Sequence, residues 1–410
     1  MPLSPYSLLR NWVAVPEVAE RAILTSVSMN LSILTNYVQQ NGNQSTFLRT
    51  DAHIRPRCED AEMSTAPSAL SHIAVTPPSL HLGLIAREVG AQYGLSGTYT
   101  PLISERDQNF CMTTAGGERF VVKIVSAVEK PVGTDFQIAV LLHLEKAGVA
   151  GVPRIVRTKA GEECGCVDCD GVNYRLRIVT FLDGTVMRHG RIVPKLARDF
   201  GQRLAELDLA LENFSHAGAS PILFWDIQRA AELRVLVTHI SDASLRANVD
   251  VILEKFESDV LPQLAQLRAQ VIHNDANTEN VLVDESGSVS GIIDFGDMLR
   301  APLIVEVSTA ASYLRSNKDD PAQLIADFVR GYYEKQPLEN RELRLLFDLI
   351  RTRVATTITM LYWRLTAREE DDDYRQKALQ FESGAARFLQ ALNSLGRDAF
   401  LQRITGDTPG

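Results

Sequence analysis

The sequence predicts an α+β protein of two lobes, a small β-rich N-terminal lobe and a larger, mainly helical C-terminal lobe. Three observations carry that expectation. Strand signals concentrate in residues 109–125, while helical periodicity dominates the second half of the 410 residues. Within that helical half, residues 271–297 read VIHNDANTENVLVDESGSVSGIIDFGD, a short hairpin flanked by one histidine, three asparagines and three aspartates.

In the small lobe, residues 120–125 (FVVKIV) form an apolar, β-branched run with Lys123 inside it. Residues 109–114 are a second strand, and Ala115-Gly116-Gly117 is the turn between the two. A lysine within such a strand must reach water at an edge or meet an anion. The downstream motif favours a phosphate partner. The polar turn over 104–109, ending at Asn109, would then lie over a nucleotide, although it contains no glycine. A helix is expected over 135–147, with Phe136, Val140 and Leu144 on one face. Gln137 has two readings: partner of Lys123, or closing residue of a capping box with Thr134 in T-D-F-Q. Glu129 is a further acidic group for Lys123.

Farther along, Leu196, Phe200, Leu204, Leu207 and Leu211 make one apolar stripe, a core-facing helix. Further helices are expected over 321–334 and 341–368.

The chemistry lies in the hairpin. Residues 281–283 and 289–293 are short β-branched strands around the turn-forming run Asp284-Glu285-Ser286-Gly287-Ser288. Asn280 precedes the first strand and Asp294 follows the second. Paired strands lie about 5 Å apart, so both side chains can reach one ion at the open end. An amide oxygen and a carboxylate suit Mg²⁺, a hard cation that keeps room for phosphate oxygens. Asp275, in the loop just before, faces the same mouth as an acceptor for a substrate hydroxyl proton. H-x-D-x-x-x-x-N followed by D-F-G-D is the spacing that Mg-assisted phosphoryl transfer needs. His273 reads as a loop histidine bonded to backbone, with a direct chemical role as the alternative. Asp297, after Gly296, either forms a turn and caps the next element or meets substrate or metal.

Together, SERDQNF at 104–110, FVVKI at 120–124, HNDANTEN at 273–280 and IIDFGD at 292–297 resemble the aminoglycoside phosphotransferase/choline kinase superfamily. The likeness spans roughly 78–395 and is closest to the hydroxylysine kinase subgroup, to which WDIQRAAELR at 225–234 also points. The resemblance implies a protein-kinase-like fold, with YRLRIVTFLDG at 174–184 as the last small-lobe strand running into a hinge at Leu182. It implies Asp275 as catalytic base, Asn280 and Asp294 as Mg²⁺ ligands, and Lys123, with Asn109 and Leu182, at the nucleotide. GTP or ATP is the implied donor and an amino-alcohol the implied acceptor, 5-hydroxylysine foremost. Homoserine, choline, ethanolamine and aminoglycosides are alternative acceptors, and a non-catalytic nucleotide-binding scaffold is the alternative role. Helices after the hinge wall the acceptor pocket in this superfamily, which brings in Trp225, Asp226, Arg353, Tyr362, Trp363 and Arg364. Three positions depart from the pattern: Asn274 replaces a frequent glycine, Gln137 a usual glutamate, and Glu306 an aspartate that braces the catalytic loop.

Composition is consistent with a globular enzyme: 45% hydrophobic, 23% charged and a net charge of −9. That charge argues against a nucleic-acid partner, and no apolar run is long enough to span a bilayer. Five cysteines, an odd number without a secretion signal, point to a reducing, cytoplasmic compartment. Cys164, Cys166 and Cys169 crowd an expected hairpin loop, but the paired ligands of a zinc site are missing. Residues 1–76 carry no motif and read as an extension, with Met63 as an alternative start. The lobes are then expected at 77–182 and 183–410. Acceptor, purine nucleotide and oligomeric state stay open at this level.

Overall fold

The computed structural model describes residues 77–102, 104, 106–315, 320–366 and 373–406. The expectations for 1–76, including Met63, lie outside the described residues, as does the end of the helix expected to reach Arg368.

The small lobe opens with α1 (Leu82–Tyr93) and continues through β1 (Gly97–Leu102), β2 (Gln108–Thr114) and β3 (Arg119–Ile124). Helix α2 (Pro131–Lys146) intervenes before β4 (Ile155–Val156), β5 (Gly165–Cys169) and β6 (Val172–Thr180). These strands form one antiparallel sheet in the order β1-β2-β3-β6-β4, with β5 also paired to β6. Successive side chains alternate across a strand. Phe110, Met112, Val122, Ile124, Leu176 and Ile178 are buried in one core with Ile85 and Val89 of α1. The same alternation sends Asn109, Lys123 and Arg177, which pair in register across β2, β3 and β6, to the opposite face. That is how an apolar strand accommodates a lysine.

Two local expectations need correction. Helix α2 starts at Pro131, not at residue 135, since proline's fixed φ and missing N–H suit the first helical position. Thr134 is therefore inside the helix, where its hydroxyl donates to Glu129 Oε1 at 2.9 Å, and it forms no capping box with Gln137. Cys166 and Cys169 lie on β5, not in a loop, and the tight turn after them is Asp170-Gly171, at φ 52° and 79°.

The large lobe runs through β7 (Thr185–Val186), α3 (Pro194–Leu211), a 3₁₀ run (Ile227–His239), α4 (Ala243–Lys255) and, after a π-helical turn, α5 (Leu261–Leu264). Then come β8 (Ala269–Ile272), β9 (Val281–Val283), β10 (Val289–Ile292), β11 (Leu299–Pro302), α6 (Leu303–Ala311), α7 (Gln323–Lys335), α8 (Asn340–Leu365), α9 (Asp373–Leu395) and α10 (Arg397–Thr405). The predicted stripe of α3 is buried along its length. Helices α3 and α7 approach closely because glycines face the contact. A Cβ on Gly201 would fall 2.0 Å from the Phe328 carbonyl oxygen, and one on Gly331 2.0 Å from that of Arg198. Strands β9 and β10 form the expected hairpin, extended by β7, while β8 pairs with β11. The end of β10 lies toward Lys123, whose Nζ is 3.5 Å from Asp294 Oδ1. The α+β, two-lobed fold class read from the sequence is the one observed.

Candidate active site

The loop after β8 is held from behind. The Asn274 N–H donates to Glu306 Oε2 of α6 at 2.6 Å, and its side-chain amide donates to the Asp297 carbonyl at 3.1 Å. Asn274 sits at φ 64°, a left-handed conformation that Asn adopts more readily than most residues. It can therefore stand where the family pattern leads one to expect glycine. Glu306 is wholly buried, and burial raises its pKa to about 7.

His273 is fully buried and its pKa is pushed down to about 4 by desolvation, so the ring is neutral. Its Nδ1 accepts from the Asp275 N–H at 3.3 Å, which leaves Nε2 as the donor to the Ile293 carbonyl at 3.0 Å. The ring thus joins the loop to the end of β10, in line with the backbone-bonded reading.

Asp275 projects from this loop. Its Oδ2 accepts from Asn280 Nδ2 at 2.8 Å and its Oδ1 from Asn277 Nδ2 at 3.0 Å. Arg353 Nη2 lies 3.5 Å from Oδ1. Burial, and next the charge of Asp297, push its pKa up to about 8 against the pull of Arg353. Asn280 spends its amide N–H groups on Asp275 Oδ2 and backbone O, which turns its amide oxygen away from that residue. The hairpin closes beside it, since the Ile293 N–H donates to the Asn280 carbonyl at 2.9 Å.

Asp294 comes directly after Ile293, at φ 62°. Lys123 Nζ lies 3.5 Å from its Oδ1, and that ammonium holds the carboxyl below the usual carboxylate range. Asp294 and Asn280 therefore present a carboxylate and an amide oxygen at one end of one hairpin, a donor set fit for a hard divalent cation. Asn109 pairs with Lys123 across β2 and β3, and its buried Oδ1 has no hydrogen-bond partner. Leu182 packs near β10, its Cδ1 3.1 Å from where a Cβ on Gly291 would be.

Other expected positions fall differently. Gln137 does not meet Lys123; its Oε1 accepts from the buried Arg177 at 2.6 Å. Asp297 does not cap a helix. Strand β11 comes after it, and its carboxylate accepts a short hydrogen bond from Arg106 of the small lobe. Asp226 is an N-cap, accepting from the Gln228 N–H at 3.0 Å. Trp225, Arg353 and Arg364 do converge, with the two guanidinium carbons 5.1 and 5.4 Å from the centre of the indole. Trp225, Trp363 and Phe224 pack on Leu233, Leu236 and Met360 there.

Arg106, Asn277 and Tyr313 were not singled out from sequence. A cation in a glycine-free turn was the available signal for Arg106, and the N in H-x-D-x-N for Asn277. Tyr313, which accepts a 3.5 Å contact from Arg353, had none.

Comparison with known proteins gives the family and the fold. The model of the "Phosphotransferase enzyme family" (APH) matches residues 98–346. A hydroxylysine kinase of Mus musculus is 28% identical over 299 residues, covering 67% of this chain and 79% of that protein. One of Bos taurus is 26% identical over 352 residues, covering 80% and 93%. Among solved structures, an amicoumacin kinase in complex with AMP-PNP, Ca²⁺ and Ami has a TM-score of 0.59 at 14% identity, covering 75% of this chain and 94% of that one. A microcompartment-associated aminopropanol kinase has a TM-score of 0.55 at 16% identity, covering 78% and 99%. With more than half of its length matched, the chain belongs to the phosphotransferase enzyme family and is a small-molecule kinase acting on a hydroxyl group.

Proposed function

We propose that the chain transfers the γ-phosphoryl group of GTP or ATP, with Mg²⁺, to a hydroxyl of an amino-alcohol or hydroxylated amino acid, 5-hydroxylysine foremost. The carrying observation is a continuous run of contacts from Lys123 through Asp294, Ile293 and Asn280 to Asp275. The acceptor is supported by four curated relatives, each named hydroxylysine kinase.

In this reading Asp294 and Asn280 hold Mg²⁺, which when bound shields the nucleotide phosphates and polarises the γ-phosphoryl group. Lys123 keeps Asp294 ionised and offsets phosphate charge. Asn109 and Leu182 line the nucleotide side. Asp275, oriented by Asn277 and Asn280, takes the acceptor's hydroxyl proton. The hydroxyl oxygen bonds to the γ-phosphorus as the bond to the β–γ bridging oxygen breaks, and the nucleoside diphosphate leaves. The change of sheet between β6, ending at Thr180, and β7, starting at Thr185, supports a lobe boundary near Leu182.

A coupled nucleoside-diphosphate release assay tests this, with ATP and GTP against 5-hydroxylysine, homoserine, choline, ethanolamine and kanamycin. Hydroxylysine-dependent release is expected. Nucleotide binding with no acceptor phosphorylated would favour the scaffold reading instead.

A further inference from the structure

Asp208 of α3 is wholly buried, and none of the roles given above uses it. Its Oδ2 lies 2.6 Å from the Tyr332 hydroxyl of α7. The same hydroxyl lies 3.0 Å from Oε1 of Gln336, just past the end of α7. If Asp208 is ionised, both neighbours are acceptors, and a tyrosine has one hydrogen to give. Burial keeps that hydrogen on Tyr332, whose pKa is raised well above its usual value. One of the two contacts would then set lone pair against lone pair.

Asp208 Oδ1 is buried as well and receives no hydrogen bond. No cation among the described residues forms an ion pair with this carboxyl. Arg268, whose charge is felt at Tyr332, is engaged by Glu342 at 2.8 Å. The charge that does reach Asp208 is that of Glu306 on α6, a second wholly buried carboxyl group. Glu306 is the better placed of the two to stay ionised. It accepts from the Asn274 N–H at 2.6 Å and from the His273 N–H, and it feels Arg353. Two like charges in one core cost more than one charge and one neutral acid.

A protonated Asp208 removes the conflict. Its O–H donates to the Tyr332 oxygen, which frees the Tyr332 hydrogen for Gln336. The main chain of Asp208 is also joined to the strand that enters the catalytic loop, since the Gln270 amide of β8 donates to the Asp208 carbonyl at 2.7 Å.

We infer that Asp208 is a positioning residue for the catalytic loop, carried as a neutral acid that donates to Tyr332, so that Glu306 alone holds the charge facing the loop's N–H groups. This rests on the reading of residues 273–280 as the catalytic loop.

Two variants of the full chain test it. Asp208→Asn keeps a donor for Tyr332 but carries no charge at any pH, whereas Asp208→Ala removes the donor. Backbone hydrogen exchange in residues 270–280 should be about tenfold faster in Asp208→Ala, the worth of one lost hydrogen bond, and close to wild type in Asp208→Asn. Infrared difference spectra at neutral pH should show a carboxylic acid C=O band in the wild type that Asp208→Asn lacks. With ATP or GTP and 5-hydroxylysine, Asp208→Ala should lower kcat more than it raises the nucleotide KM, and Asp208→Asn should restore kcat. An Asn variant as impaired as the Ala variant, or an infrared band that Asp208→Asn leaves unchanged, would overturn the neutral acid. Wild-type exchange in Asp208→Ala would overturn the positioning role. Should Asp208→Ala fail to fold, the infrared spectra and the exchange of Asp208→Asn still decide. A wild type that phosphorylates nothing would sink the catalytic reading, with exchange and infrared spectra still deciding the state and role of Asp208.

Discussion

Arg106 of the small lobe donates to the Asp297 carboxylate of the large lobe, and the same Nη2 reaches the Gly296 carbonyl at 3.2 Å. This glycine-free turn is tied to the large lobe by a side chain. Asp107 secures its base by accepting from the Ser126 N–H at 3.2 Å. The link fixes the turn over the Asp294 loop.

Arg106→Ala should therefore raise the nucleotide KM more than it lowers kcat. A hydrogen bond between charged groups contributes about 1.5–3 kcal/mol, and the 37% exposure of Arg106 puts the effect toward the lower end, roughly tenfold. Asp297→Asn should give a similar loss, and the double variant little more than either alone. Strict additivity in steady-state kinetics would show that the two do not act as a pair.

Asp275→Asn preserves shape and the bond to Asn280 but removes the proton acceptor. Turnover should fall by about 10²–10⁴-fold, the usual worth of general base catalysis. Nucleotide affinity by calorimetry should change little. A variant retaining more than a tenth of the rate would exclude Asp275 as the base.

Removing divalent cations with EDTA should abolish phosphoryl transfer, and Mg²⁺ should restore it. Asn280→Ala and Asp294→Ala should each raise the Mg²⁺ concentration needed for half-maximal rate, Asp294→Ala the more, since it removes a formal charge. Unaltered Mg²⁺ dependence in both would relocate the metal.

Gln137 and Lys123 should separate cleanly. Gln137→Leu leaves the buried Arg177 without its 2.6 Å acceptor, so the melting temperature should drop while nucleotide KM holds. Lys123→Ala should do the reverse. If Gln137→Leu weakens nucleotide binding as strongly as Lys123→Ala, then Gln137 acts on the lysine after all.

Stability should decline between about pH 4.5 and 7. Glu306 is raised from its usual 4.5 to about 7, and Asp208, wholly buried and bonded to the Tyr332 hydroxyl at 2.6 Å, is raised by burial and by the charge of Glu306. The folded state then holds protons that the unfolded chain has already released. The Glu306 contribution is complete below about pH 4.5 and disappears as pH climbs through 7, and Asp208 acts in the same direction. Thermal melting across that range should show the fall, and Glu306→Gln should flatten it. A melting temperature unaffected by Glu306→Gln between pH 4.5 and 7 would reverse the assignment.

The local patterns were the legible part. Alternation in residues 120–124 defined β3, and the five-residue stripe defined the buried face of α3. The hairpin was legible because β-branched runs around Asp284-Glu285-Ser286-Gly287-Ser288 admit few other conformations. Asn280 and Asp294 share one hairpin, so their nearness comes from local pairing alone. The first turn of α2 was not legible, because apolar periodicity begins only at Phe136 and says nothing of the turn that Pro131 opens.

Sequence by itself thus determined the fold class, the β9–β10 hairpin and the residue types that can hold a phosphate and a metal, all of which depend on short-range spacing. Tertiary packing decided who partners whom across the lobes. Lys123 meets Asp294 and leaves Gln137 to Arg177, Arg106 reaches Asp297, and Arg353 is carried to Asp275 from α8. Charges far apart in the chain attract at ranges that many pairings satisfy equally well in the unfolded state. Only the packed arrangement of sheet and helices selects one of them.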